Sequence, residues 1–210
     1  MIVKTLKLNS KLEGLVTNCY ILVDETTKKA LVIDPANEAE KIAEELENLN
    51  AKLEYIILTH CHVDHICGVN ELLQKQGGRV AIGKIESSRV NNEQISLTFL
   101  GNVSYPDIIV SRELEDNEEI FLGETKLEIL HTPGHTEGSI SIYSEKDNSV
   151  FTGDTLFHNT YGRTDLPTGS EISIINSIRN KLFVLPENTI VYPGHGIKTN
   201  IKNEKNNFGA

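Results

Sequence analysis

Four ligand-type side chains fall within six consecutive positions, His60-Cys61-His62-Val63-Asp64-His65. Imidazole nitrogen and carboxylate oxygen are donors that suit zinc, iron and manganese. In extended backbone, side chains two positions apart project the same way, so His60 and His62 can converge on one point. Asp64 and His65 stand where the chain turns into a helix and can address a neighbouring point. Alone, such a loop could be a polar stretch carrying two solvated histidines. Three further residues argue against that reading: His135 in Thr132-Pro133-Gly134-His135-Thr136, Asp154 in Thr152-Gly153-Asp154-Thr155, and His195 in Pro193-Gly194-His195-Gly196. Each follows a strand-like run and has a glycine just before it, which lets the backbone bring a short side chain close to a shared point. The pattern is that of a metal site assembled from distant parts of one chain.

The elements that must position these residues alternate between strands and helices. Cys19-Tyr20-Ile21-Leu22-Val23 and Ala30-Leu31-Val32-Ile33 read as strands, the second ending at Asp34-Pro35. Asn37 with Glu40 resembles a capping box, opening a helix with Ile42, Ala43, Leu46 and Leu49 on one face. Leu53-Glu54-Tyr55-Ile56-Ile57-Leu58 has the nearly continuous apolar character of a strand covered on both faces. It stops at Thr59-His60, which puts the histidine motif on the loop at a strand's carboxyl end, where open α/β sheets hold ligands. A helix is expected over 65–76, closed by Gly77-Gly78. Periodicity is weak over 85–117. Hairpins then follow at 120–130 and 139–152, a helix starting at Ser170 carries Ile174, Ile175, Ile178 and Leu182, and a last strand covers 189–192. Two sheets faced by helices, an α/β layered domain, account for this order.

The bulk properties set limits. At 210 residues, 39% hydrophobic and 24% charged, the chain is long enough for one sizeable soluble domain, expected to span 1–210. Its net charge of −10 argues against a nucleic-acid partner, which calls for clustered Lys and Arg. Apolar runs are strand-sized, so no membrane partner is expected, and charges interrupt any signal-peptide core after Met1. Three cysteines, Cys19, Cys61 and Cys67, do not make a disulfide framework and fit a reducing cytoplasm.

The set His-x-His-x-Asp-His followed by His, Asp and His at strand ends resembles the metallo-β-lactamase-fold hydrolase superfamily, and the likeness runs from Asp34 to His195. It implies a four-layer αβ/βα sandwich of two mixed sheets flanked by helices. It implies one divalent cation on His60, His62 and His135 and a second on Asp64, His65 and His195, with Asp154 bridging both. Zinc is placed ahead of iron or manganese, since the same donors accept all three. Asp34 matches the family's first motif, a residue that orients the ligands around it. Within the superfamily the chain is similar to the glyoxalase II-like branch of hydroxyacylglutathione hydrolases, in 161–167 and the tail 199–208. Asp154 stands where true β-lactamases commonly carry cysteine. One departure concerns the substrate: 15 residues follow His195, where typical glyoxalase II has a helical domain that helps hold glutathione.

The implied chemistry is attack of a metal-activated hydroxide on a thioester or ester carbonyl of a small molecule. Asp154 would set the metal spacing, and Asp64 would bind metal and orient the nucleophile. A second possibility is a mononuclear iron persulfide dioxygenase, which the Gly162-Arg163-Thr164-Asp165 stretch also resembles, with His60, His135 and Asp154 as ligands. A third is a non-catalytic metal-binding protein on the same fold. Other reactive residues have plainer roles. Cys61 alternates away from His60 and His62, and His131 is expected to brace a loop. His158 is expected in solvent. Arg163 could grip an anionic substrate group or simply pair with Asp165.

Overall fold

In the computed structural model, which describes residues 1–100 and 107–209, the chain forms two six-stranded mixed sheets packed face to face with helices outside each. The weakly periodic region 85–117 includes 101–106, which lie outside the described residues.

The first sheet has β1 (Ile2–Asn9), β2 (Val16–Val23), β3 (Lys29–Ile33), β4 (Lys52–Leu58), β5 (Arg79–Gly83) and β6 (Arg112–Leu114), in that spatial order. β1, β2 and β3 are antiparallel neighbours, while β3 to β6 run parallel. The parallel crossovers are made by α1 (Ala39–Asn48), then α2 (Val63–Ile66) and α3 (Val69–Gln76), then α4 (Lys84–Ser87) and α5 (Glu93–Ser96). The second sheet contains β7 (Glu119–Leu122), β8 (Thr125–His131), β9 (Ile140–Ser144) and β10 (Ser149–Gly153), and a short hairpin β11 (Leu156–Phe157) and β12 (Thr160–Tyr161) stands apart from it. After α6 (Glu171–Ser177) the sheet is completed by β13 (Ile190–Pro193), parallel to β10, and β14 (Thr199–Asn200), before α7 (Ile201–Asn207).

Strand alternation divides the apolar residues into three layers. Tyr20, Leu22, Leu31, Ile33 and Ile57 of the first sheet meet Leu127, Ile129, Ile142 and Phe151 of the second in the central core. The opposite faces of the same strands, with Cys19, Ile21, Val23, Val32, Ile56 and Leu58, pack against Ile42 and Leu46 of α1 and Leu72 of α3. On the far side, Tyr143, Val150 and Val191 pack against Ile174, Ile178, Leu182 and Ile201. This is the expected αβ/βα sandwich.

Several local expectations are corrected. Asn37 is not a helix cap: α1 begins after Glu38, at φ 51° and without a side-chain cap. The end of β1 recruits both residues instead, since Asn37 Nδ2 donates to the Asn9 carbonyl and the Asn9 N–H donates to Glu38 Oε2. The single helix over 65–76 is two, broken at Cys67-Gly68, because the Gly68 N–H donates to Pro35 O and a Cβ there would lie 2.6 Å from that oxygen. The helix opened by Ser170, whose side chain accepts from Ser173 N–H, continues as a π-helical turn, Ile178–Leu182. The edge strand β1, the strands β5 and β6, the short β11, β12 and β14, and the helices α4, α5 and α7 have no counterpart in the sequence pattern.

The two sheets are also joined by polar ties at their rims. Buried Asp24, after β2, accepts from Thr125 Oγ1 of β8 at 2.8 Å and from the N–H and hydroxyl of Thr27. Bonds from Thr27 and then Thr125 hold its carboxyl below the usual carboxylate range. Such a carboxylate stabilises the fold above its unfolded pKa, and that contribution is lost as pH falls through the lower folded value. Thr125→Val should therefore lower stability by about 1–2 kcal/mol at pH 7, read as a shifted urea midpoint. The difference should shrink as pH drops below about 4.

Candidate metal centre

The loops after β4, β8, β10 and β13 open at one edge of the sandwich. β10 and β13 are parallel and end together, while the Ile140 N–H at the start of β9 donates to Thr59 O at the end of β4. The antiparallel β8–β9 pair then brings the loop after His131 to the same edge. β2 clamps the final loop: Asn18 N–H donates to Gly194 O, Asn18 Nδ2 to Pro193 O and Gly196 O, and Tyr20 Oη to Pro193 O at 2.6 Å. Thr17 Oγ1 also donates to Asp64 O.

All seven expected ligands meet there. The donor atoms of His60, His62 and His135 lie within 4.8 Å of one another, and so do those of Asp64, His65 and His195. His60, His65 and Asp154 form a third such trio between them. Asp154 reaches both sides: Oδ2 is 3.6 Å from His135 Nε2 and 3.4 Å from His195 Nε2, and Oδ1 is 3.4 Å from His65 Nε2. His62 Nδ1 lies 2.9 Å from His135 Nε2. The approach depends on glycine, because a Cβ on Gly194 would collide with Asp154 Oδ1 and His65 Cε1.

The outward nitrogens are fixed by acceptors, so the lone pairs of His65, His135 and His195 turn inward at Nε2. His65 Nδ1 donates to Asp34 Oδ2 at 2.9 Å, His135 Nδ1 to Arg163 O at 2.8 Å, and His195 Nδ1 to Val16 O at 2.7 Å. Asp34 also accepts from the Thr59 N–H and from Thr59 Oγ1. With its hydrogen committed to Asp34, that hydroxyl is left to accept from His60 Nδ1, 3.0 Å away. Asp34, at φ 51° beyond β3 and buried, thus orients two of the ligand histidines.

The inward atoms fit a cation site. His60 Nε2, His65 Nε2 and Asp154 Oδ1 are buried without a hydrogen-bond partner, a costly state that metal coordination would relieve. Burial, followed by the nearby imidazoles, pushes His60 well below its ordinary pKa, and burial with His135 takes His62 down to about 3. Both are therefore neutral, as ligation requires. Burial would do the same to His65 and His195, but the carboxylates outweigh it. Asp154, Asp64 and Asp34 raise His65, and Asp154 with Asp64 takes His195 up to about 10. Burial acts to raise the Asp64 and Asp154 carboxyls; His65 and His195 overcome it and hold both low. Divalent cations would take the place of the protons that balance these two carboxylates.

The remaining candidates stand aside. Cys61 is buried next to Glu86, with burial as the first cause of its raised pKa, and neither Cys61 nor Cys67 joins a ligand trio among the described residues. His131 braces its loop by donating to Glu137 O. His158 is exposed, as expected, with Nδ1 3.5 Å from Glu204 Oε1. The Arg163 guanidinium makes a bidentate pair with Asp165, both bonds 2.7 Å, while its carbonyl holds His135. Sequence reasoning missed Glu86. Fully buried, it accepts from Cys61 N–H in the ligand loop and from Gly138 N–H beyond His135, tying the two loops together. It lies in the weakly periodic stretch, where no pattern marked it.

The sequence profile of the metallo-beta-lactamase superfamily matches residues 12–195, and the chain belongs to that superfamily. It is 37% identical over 194 residues to hydroxyacylglutathione hydrolase GloC of Haemophilus influenzae, covering 90% of this chain and 89% of that one. The crystal structure of BLEG-1 B3 metallo-beta-lactamase aligns with a TM-score of 0.84 at 31% identity, over 98% of this chain and 97% of the other. ETHE1 from Myxococcus xanthus aligns with a TM-score of 0.80 at 29% identity, over 98% and 82%.

Replacing Asp34 tests the orienting network. Asp34→Ala should weaken metal retention about 10- to 100-fold, measured by competition with a chromophoric chelator, because His60 and His65 lose the acceptor that aims them.

Proposed function

We propose that this protein is a dinuclear metal-dependent hydrolase acting on a thioester or ester. The observation that carries the reading is the pair of donor trios, His60–His62–His135 and Asp64–His65–His195, with Asp154 between them. When bound, two divalent cations supply a water whose proton is lost near neutral pH and an electrophile for the carbonyl oxygen. Asp154 fixes the separation of the two positions. Asp64 Oδ2, 3.2 Å from His195 Nε2, sits at the cleft floor where a carboxylate can accept a proton from the attacking water and orient it. His62, His135 and His195 share that floor, so the reacting carbonyl enters from the cleft side. A thiolate leaves readily, and the site needs no strong general acid.

The mononuclear iron alternative would use His60, His135 and Asp154 and leave the Asp64–His65–His195 trio without a role. Native protein should contain close to two metals per chain, hydrolyse thioesters, and lose that activity on chelation. Asp64→Asn should lower kcat by about 100-fold or more. A single iron with oxygen uptake on glutathione persulfide would overturn the proposal. So would preferred turnover of a β-lactam, which belongs in the substrate panel because of the similarity to BLEG-1.

A further inference from the structure

The cleft over the ligand cluster has a composition that bears on which thioester or ester enters it. Its volume is about 390 Å³, within the range of small-molecule sites. Above the ligands, its walls are Leu12 and Leu15 from the loop before β2, Leu97 and Leu100 after α5, Phe157 of β11, and Leu166. These come from four separate parts of the chain and converge on the space in front of His62, Asp64 and His195.

Leu97 is held there by an unfavourable backbone. It sits at φ 61°, in the left-handed region a leucine rarely adopts, yet is only 6% exposed. It ends α5, whose start Asn92 caps by accepting from Gln94 N–H and Ile95 N–H.

Charge is scarce beside this apolar wall. Arg163 is the one cationic side chain lining the cleft among the described residues, and Asp165 already neutralises it. Lys11, next to Leu12, is exposed and does not line the cleft. The chain as a whole carries a net charge of −10, which disfavours anionic ligands. A carrier bearing carboxylates, such as glutathione, would find no unpaired cationic side chain lining the cleft among the described residues to receive them.

We infer that the substrate is an uncharged thioester or ester with an aliphatic acyl chain, which the leucine walls enclose while its carbonyl faces the ligand cluster. This rests on the hydrolase reading above and narrows it. Burying each methylene against these walls gives the enzyme about fourfold in affinity for chain and transition state together.

Two measurements on the zinc-loaded protein separate the inference from the reading beneath it. The first is kcat/KM for N-acetylcysteamine thioesters from acetyl to hexanoyl, beside S-lactoylglutathione. The second is calorimetric binding of non-hydrolysable thioethers, S-hexyl- against S-methyl-N-acetylcysteamine, and S-hexylglutathione. The expected result is a rise of about fourfold per methylene, with the hexanoyl thioester preferred over S-lactoylglutathione. Leu97→Asn places a residue that tolerates left-handed backbone at this position, so the turn is kept while the wall is lost. It should reduce the hexanoyl-to-acetyl ratio at least about tenfold. Leu166→Asn should act in the same direction from the other wall. A flat chain-length series, or a preference for S-lactoylglutathione, overturns the inference and leaves the hydrolase reading standing. If neither these thioesters nor the matching ethyl esters are hydrolysed but S-hexyl-N-acetylcysteamine still binds better than the S-methyl analogue, the hydrolase reading falls and the aliphatic cleft stands. Equal binding of the two analogues overturns the cleft assignment whatever the hydrolysis result.

Discussion

The carboxylate of Asp34 is the point on which the ligand geometry turns. It accepts from the Thr59 backbone, the Thr59 hydroxyl and His65 Nδ1, and through that hydroxyl it also sets His60. A buried carboxylate is tolerable only when its lone pairs are filled, and here the filling groups belong to the motif it orients. The end of β3, the end of β4 and the start of α2 are thereby locked into one unit. Any shift of β3 against β4 would misdirect two imidazoles at once.

Around this anchor the protein keeps a group of polar atoms that would be unfavourable in a purely structural core. Three inward donor atoms lack hydrogen-bond partners, and two buried carboxylates lie among five histidines. The cost is borne by the three apolar layers and by polar ties that hold the sheet edges together. Asn18 and Tyr20 reach from the first sheet to the His195 loop, and Glu86 bridges the His60 and His135 loops. These contacts tie the loops to one another through groups outside the His and Asp cluster, as a preorganised centre requires.

The floor of the cleft and its walls answer separate demands. The His and Asp cluster lies on strand-end loops and the start of α2, whereas Leu12, Leu97 and Leu166 come from segments outside the two sheets' hydrogen-bond ladders. Such loops can change the accepted substrate without disturbing the ligand positions. Similarity to proteins called a hydroxyacylglutathione hydrolase, a metallo-beta-lactamase and ETHE1 fits that separation, since one framework is shared by proteins of different names.

The sequence alone was enough to place the seven ligand-type residues at strand ends and at the start of one helix, and to separate two sheets from their outer helices. Both depend on short-range regularities: alternation along a strand, the period of a helix, and a loop that begins where an apolar run stops. It could not show that Asn37 would bond to β1 instead of capping α1, that Gly68 would break a helix against Pro35, or that Arg163 would serve His135 through its carbonyl. Nor did any local pattern mark Glu86 or the leucine walls. Those outcomes join residues far apart in the chain, up to the 179 positions between Val16 and His195. They are decided by the register and packing of two sheets, which set distances that no window of neighbouring residues contains.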